Sequence, residues 1–138
     1  MPGNNAPIYS KSANVSWNTV NMTAANTNKD GTGVVDLIWT ADVTNGGYLD
    51  SISIVPKGTN VATVMRFFVN NGSTNTVAAN NSLIDHVGLP ASTLSEVAAT
   101  PKAVLNVQKI FPLGYRIYAV LGTAVAAGFG VTAYGGNY

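Results

Sequence analysis

The chain has 138 residues and a mass of 14.3 kDa, which is one domain's worth of sequence and enough to bury roughly two-thirds of its surface without staples. Hydrophobic residues make up 46%, which excludes a disordered chain, while charged residues make up only 9% against a typical ~25%. Seven basic and six acidic residues leave a net charge of +1 with no basic run, so nucleic-acid binding lacks its usual electrostatic drive, and the absence of cysteine excludes disulfides, thiolate nucleophiles and cysteine-based zinc sites. A chain without cysteine is compatible with assembly in a reducing cytoplasm.

Residues 1–13, with Pro2, Pro7 and the adjacent Asn4 and Asn5, read as an extended N-terminal arm, and residues 14–138 as one domain. The start shows neither a basic segment nor an apolar run, so no signal peptide is expected. Residues 14–20 alternate as a first strand, with Val15, Trp17 and Thr19 on one face. Asn26 to Gly31 forms a turn, in which Asp30-Gly31 is a hairpin signal. Residues 33–41 follow as a strand, with Val35, Leu37 and Trp39 opposing Val34, Asp36, Ile38 and Thr40. Asn45-Gly46-Gly47 turns the chain into residues 48–55, where Leu49 is out of step with Ile52 and Ile54.

Residues 61–69 are the most β-rich run, with Met65, Phe67 and Val69 on one face and Val64, Arg66 and Phe68 on the other. Residues 76–79 and 82–87 are weaker strands. Residues 91–98 admit a short helix with Ser92 as its N-cap. Residues 103–109, 115–121 and 124–134 complete the set. From Ile117 to Tyr138 the chain carries no charge for 22 residues, long enough to cross a bilayer. Its glycines and its alternation favour two strands instead, so no membrane partner is expected. Eight or nine strands without a long amphipathic helix predict an all-β antiparallel sandwich, jelly-roll or Ig-like.

Catalytic and metal-binding patterns are weak. Gly128-Phe129-Gly130-Val131-Thr132-Ala133 matches a dinucleotide fingerprint, but the helix and ribose-binding acid that give it meaning have no room before Tyr138. Asn26, Asn28, Asp30 and Gly31 imitate half of a calcium loop with too little charge to hold the ion. His86, the only histidine, sits beside Asp85 without a readable nucleophile, so a hydrolase built on this pair is disfavoured. The acids Asp30, Asp36, Asp42, Asp50, Asp85 and Glu96 mostly fall at turns and read as solvated rather than as a glycosidase pair. The aromatic residues read as core or interface. No catalytic residue, cofactor or metal is expected.

One resemblance goes further. Trp39-Thr40-Ala41-Asp42, the run from Val61 to Asn70, Phe111-Pro112-Leu113-Gly114-Tyr115-Arg116-Ile117-Tyr118, Gly122 to Gly128 and Gly135-Gly136-Asn137-Tyr138 resemble small β-rich virion proteins of tailed bacteriophages that decorate or cement capsids. The likeness covers residues 35–138 and carries no catalytic residue with it. It implies a virion protein assembled in the host cytoplasm, bound to the major capsid protein, and trimeric. In this expectation Ile8, Tyr9 and Lys11 of the arm contact the shell or a neighbouring subunit. The alternative is a tail or baseplate protein with a receptor- or glycan-binding surface built on exposed Tyr and Trp.

Overall fold

Short apolar runs separated by turn residues fold into strands because each can bury one face only against another sheet. The computed structural model describes residues 10–138. Its strands are β1 (Ser12–Trp17), β2 (Asp36–Thr40), β3 (Gly47–Pro56), β4 (Thr63–Asn70), β5 (Asn81–Leu89), β6 (Ala103–Phe111), β7 (Arg116–Leu121) and β8 (Phe129–Asn137). One sheet has the order β1-β8-β3-β6 and the other β2-β7-β4-β5, with every neighbouring pair antiparallel. The chain changes sheet at every step except the β4–β5 hairpin. This is the order of a jelly roll, two Greek keys folded face to face, and it decides between the two sandwich types expected.

The core lies between the sheets. Trp39, Leu49, Ile52, Ile54, Met65, Phe67, Ile117, Leu121 and Phe129 are fully buried there. Each such side chain contributes about 1.5–3 kcal/mol relative to exposure. Trp39 meets Phe111 edge to face at 5.9 Å and donates its Nε1–H to the Asn14 carbonyl at 3.2 Å. The expected two-faced alternation of residues 115–121 holds: Ile117, Ala119 and Leu121 enter this core, whereas Tyr118 and Val120 join Phe68 on the opposite face.

Two strands depart from strict alternation, and bulges explain both. Leu49, Ile52 and Ile54 are all buried although Leu49 has the wrong phase, because the register shifts between Leu49 and Ser51 against both β8 and β6. Asp50 is the extra residue on β3 and points to solvent, which resets the phase. In β2 a shift between Leu37 and Trp39 buries the consecutive Ile38 and Trp39 and leaves Leu37 exposed, reversing the expected faces of Leu37 and Ile38.

Other expectations need correction. Asp30-Gly31 makes no hairpin: β1 pairs with β8 and β2 with β7, so the turn sits in a crossover between sheets. Residues 76–79 run through a turn into a short 3₁₀ segment (Ala78–Asn80). Residues 91–98 form no helix, because Ser92 exchanges backbone hydrogen bonds with Asn60 at 2.9 and 3.1 Å and its Oγ donates to the Gly58 carbonyl at 2.7 Å. Ser95 Oγ instead accepts from the N–H groups of Val97 and Ala98, closing a local turn. β8 starts at Phe129 rather than 124, after Gly128 at φ 80°. Ser12 and Ala13, placed in the arm by the sequence, belong to β1.

With so few charges, asparagine amides hold the connections. Asn60 is 3% exposed; its Oδ1 accepts from Ala127 N–H and Gly128 N–H at 2.8 and 3.0 Å, and its Nδ2 donates to the Gly128 carbonyl at 2.9 Å. Asn18 does the same one step beyond β1, accepting from Val131 N–H at 2.9 Å and donating to the Phe129 carbonyl at 3.0 Å. Replacing Asn60 by Ala strands three backbone groups, so Asn60→Ala is expected to cost about 3 kcal/mol in urea unfolding. The exposed Asn71→Ala is expected to cost less than about 1 kcal/mol in the same assay.

Candidate interaction face

The two outer faces of the sandwich are treated differently by the chain. On the β2-β7-β4-β5 sheet, Phe68, Tyr118 and Val120 point away from the main core, yet all are buried, and Val35 packs on them. The β1–β2 connection that carries Val35 is pinned in place. Asn26 N–H donates to the Leu121 carbonyl at 2.8 Å, Asn75 Nδ2 donates to the carbonyls of Gly31 and Gly33, and Asn81 Nδ2 donates to that of Asp30.

Among the described residues, the β1-β8-β3-β6 sheet has no such cover. Register aligns Val15, Tyr134, Ser51 and Asn106 in one row across its four strands, and Trp17, Thr132, Ser53 and Val104 in the next. These point outward because their neighbours Ile52, Ile54, Val131 and Ala133 fill the core. Trp17 is 60% exposed, Val104 51%, and Val15 and Tyr134 45% each. A third row brings Ile110, 68% exposed, opposite Tyr48 and Gly136. The first two rows contain no Asp, Glu, Lys, Arg or His. The result is a neutral face with apolar side chains standing on it, the kind of surface that marks an interaction site.

The border of this face is polar. Asp50 leaves the β3 bulge, and opposite it Gln108 adopts φ 52°, the only non-glycine residue with positive φ among those described. Tyr48 Oη donates to Asp50 Oδ1 at 3.5 Å. Burial, followed by the Asp50 charge and this hydrogen bond, pushes the Tyr48 hydroxyl above its ordinary pKa. Beside Trp17, between the edge strands β1 and β2, lies a hollow of about 300 Å³ lined by Asn14, Trp17, Thr19, Leu37 and Thr40 among others.

The residues singled out in the sequence fall as follows. Ile8 and Tyr9 lie outside the described residues. Lys11 is exposed, and its backbone N–H donates to the Asn137 carbonyl at 2.6 Å, which sets it at the rim of the open face. Asp85 and His86 are consecutive on β5 and leave it on opposite sides: Asp85 stands opposite Phe67, a core residue, and His86 opposite Arg66. Asp85 Oδ1 accepts from the His86 backbone N–H at 2.8 Å. Gly128 turns the chain into β8 and Gly130 lies within that strand, as the packing explanation of this motif requires.

Asn26, Asn28 and Asp30 spend their side chains on their own loop. The amides of Asn26 and Asn28 donate to the Thr32 carbonyl, and Asp30 Oδ1 accepts from the N–H and hydroxyl of Thr32. These last bonds hold the Asp30 carboxyl below its usual pKa. Asp36 is shifted the other way by burial. No group of three or more His, Asp or Glu that could hold a metal ion occurs among the described residues, and none of their helices is long and apolar enough to cross a membrane.

Sequence alternation places Val15 and Trp17 on one side of β1 without saying which side. The signal was in the residues that alternate with them. Asn14 Nδ2 donates to the Thr40 carbonyl at 2.8 Å and Ser16 Oγ to the Ile38 carbonyl at 2.6 Å, so the polar side of β1 faces inward and bridges the sheets. The apolar side is thereby turned out.

Truncating a side chain on the open face should cost little, whereas one on the covered face should leave a cavity. Trp17→Ala is expected to change unfolding free energy by less than about 1 kcal/mol. Phe68→Ala is expected to lower it by about 3–5 kcal/mol. Chemical denaturation of both variants checks the contrast.

Comparison of the chain with protein-family models, with curated proteins and with solved structures gives no match.

Proposed function

We propose that this chain is a non-enzymatic virion structural protein, which binds the outside of a bacteriophage capsid and stabilises it as a decoration or cement protein. The observation that carries this reading is the uncovered neutral face bearing Val15, Trp17, Val104, Ile110 and Tyr134. Docking such a face on the major capsid protein removes apolar area from water at about 25 cal/mol per Å² and strips no charge of its hydration. The jelly roll supports the reading only coarsely, since viral capsid proteins and lectins both use it and a fold does not fix a function. The resemblance of residues 35–138 to phage decoration proteins adds the virion location.

Lys11 contributes at the rim of the face, and the arm residues Ile8 and Tyr9 extend the contact. Assembly as a trimer makes attachment multivalent, so modest contacts per subunit add up to firm retention. A tail or baseplate role is the second reading, favoured by one observation: the exposed indole of Trp17 stands beside a hollow with the hydroxyls of Thr19 and Thr40, a suitable platform for the apolar face of a sugar.

Co-sedimentation with phage shells assembled without the protein tests the proposal. The wild-type chain is expected to pellet with shells, and to lose little binding between 50 mM and 500 mM salt because the docking face carries only Lys11, at its rim. Trp17→Ala combined with Ile110→Ser is expected to weaken binding at least tenfold. Absence of shell binding, or an unchanged affinity in the double variant, would overturn it. Binding of the isolated domain to a glycan array, lost in Trp17→Ala, would establish the second reading in its place.

A further inference from the structure

The chain reaches β1 by way of the open face. It bends at Lys11, so Ser10 leaves the line of the edge strand and stands above β8, over Gly136. Gly135 and Gly136 present opposite sides of β8. A Cβ at Gly135 would meet the Trp39 indole at 3.3 Å, within the core, whereas one at Gly136 would lie 2.5 Å from Ser10 Cβ, outside the sheet. Glycine at 136 thus leaves room for a passing backbone that any other residue would fill. The step from Lys11, on the line of β1, to Ser10, above β8, points across the sheet toward β3 and β6. The next positions in that direction are Tyr48 and Ile110, which share a row with Gly136. Ile110 is 68% exposed, more than the other apolar side chains described on this face.

We propose that residues 7–9 cross this row as an extended segment, with Ile8 seated on Tyr48 and Ile110 and with Tyr9 turned outward. The chain's own segment is the occupant because Ser10 already delivers it to the row. Two lengths agree. From β8 to β6 is two strand spacings, about 10 Å, and three extended residues span about 10 Å. Side chains of an extended segment alternate, so Ile8 faces the sheet as Ser10 does, and Tyr9 faces away. Pro7 has no N–H that must find a partner away from a strand ladder. Residues 1–9 carry no charged side chain, and neither does the row of Ala13, Gly136, Tyr48 and Ile110. Trp17 stays free of the segment, since it lies four residues beyond Ala13 on β1, about 13 Å from the row. The outward Tyr9 enlarges the docking face. That role rests on the docking reading above, whereas the seat of Ile8 does not.

Hydroxyl-radical footprinting of the full chain, without shells, tests the seat. Corrected for intrinsic side-chain reactivity, Ile110 is expected to oxidise at least threefold more slowly than Val104 of the same strand, although the sheet itself leaves Ile110 the more exposed, 68% against 51%. Ile8→Ser and Gly136→Ala are each expected to bring Ile110 up to the rate of Val104, and Tyr9→Ser to leave it protected. Phe68, buried on the opposite sheet, reports that every variant stays folded. An Ile110 as reactive as Val104 in the wild type, or one that neither Ile8→Ser nor Gly136→Ala unmasks, would overturn the proposal. Protection that fades on dilution would overturn it too, by assigning the segment to a second copy. Co-sedimentation with shells tests Tyr9, and Tyr9→Ser is expected to weaken binding at least fivefold. Unchanged binding would overturn the role of Tyr9 and leave the docking reading standing, whereas a wild type that binds no shells would overturn both and leave the seat of Ile8.

Discussion

The scarcity of charge constrains everything else in this molecule. A jelly roll needs long connections between sheets, and each connection carries backbone groups that no strand pairs. Charged side chains serve that need at few places here, such as Asp30 and Asp42, since only 9% of residues are charged. Asparagine serves it instead, because one planar amide both donates and accepts and so takes the place of a missing strand partner. Asn60 binds the β7–β8 connection from 67 and 68 residues away, and Asn18 prolongs the pairing of β1 with β8. Asn26, Asn75 and Asn81 fasten the crossover that seals Phe68 and Tyr118.

The same economy shapes the surfaces. The crossover covers one sheet, and none of the described residues covers its counterpart in the same way. On the bare sheet the solvent-facing positions are held by Ser51, Ser53, Thr132 and Asn106, with Trp17, Tyr134 and Val104 among them. A surface of this composition is cheap to desolvate, which suits lasting contact with another protein more than recognition of an ion or a nucleic acid.

Much of the fold was legible in the sequence because period-two alternation between turn residues states a strand directly. Residues 61–69 and 115–121 show both faces correctly, and each of those faces finds a hydrophobic partner. Bulges were less legible. The phase error at Leu49 was visible, but only pairing with β8 reveals Asp50 as the extra residue. Strand order was not legible, since it depends on partners more than 100 residues apart, such as Val15 and Tyr134. Ser92 was misread as a helix cap because its actual partners, Asn60 and Gly58, are brought to it only by the fold. The interaction face was hidden for a related reason: alternation shows that Val15 and Trp17 share a side, while the hydrogen bonds of Asn14 and Ser16 decide that this side is outward.

Trp39 is buried and Trp17 is exposed, so intrinsic fluorescence reports directly on the open face. Acrylamide quenching of the wild-type protein, free and then bound to shells, tests the central claim that this face is the one that docks. The account predicts a readily quenched component in the free protein that belongs to Trp17, disappears in Trp17→Ala, and becomes protected on the shell. A Trp17 component equally quenchable in the free and shell-bound protein would contradict it.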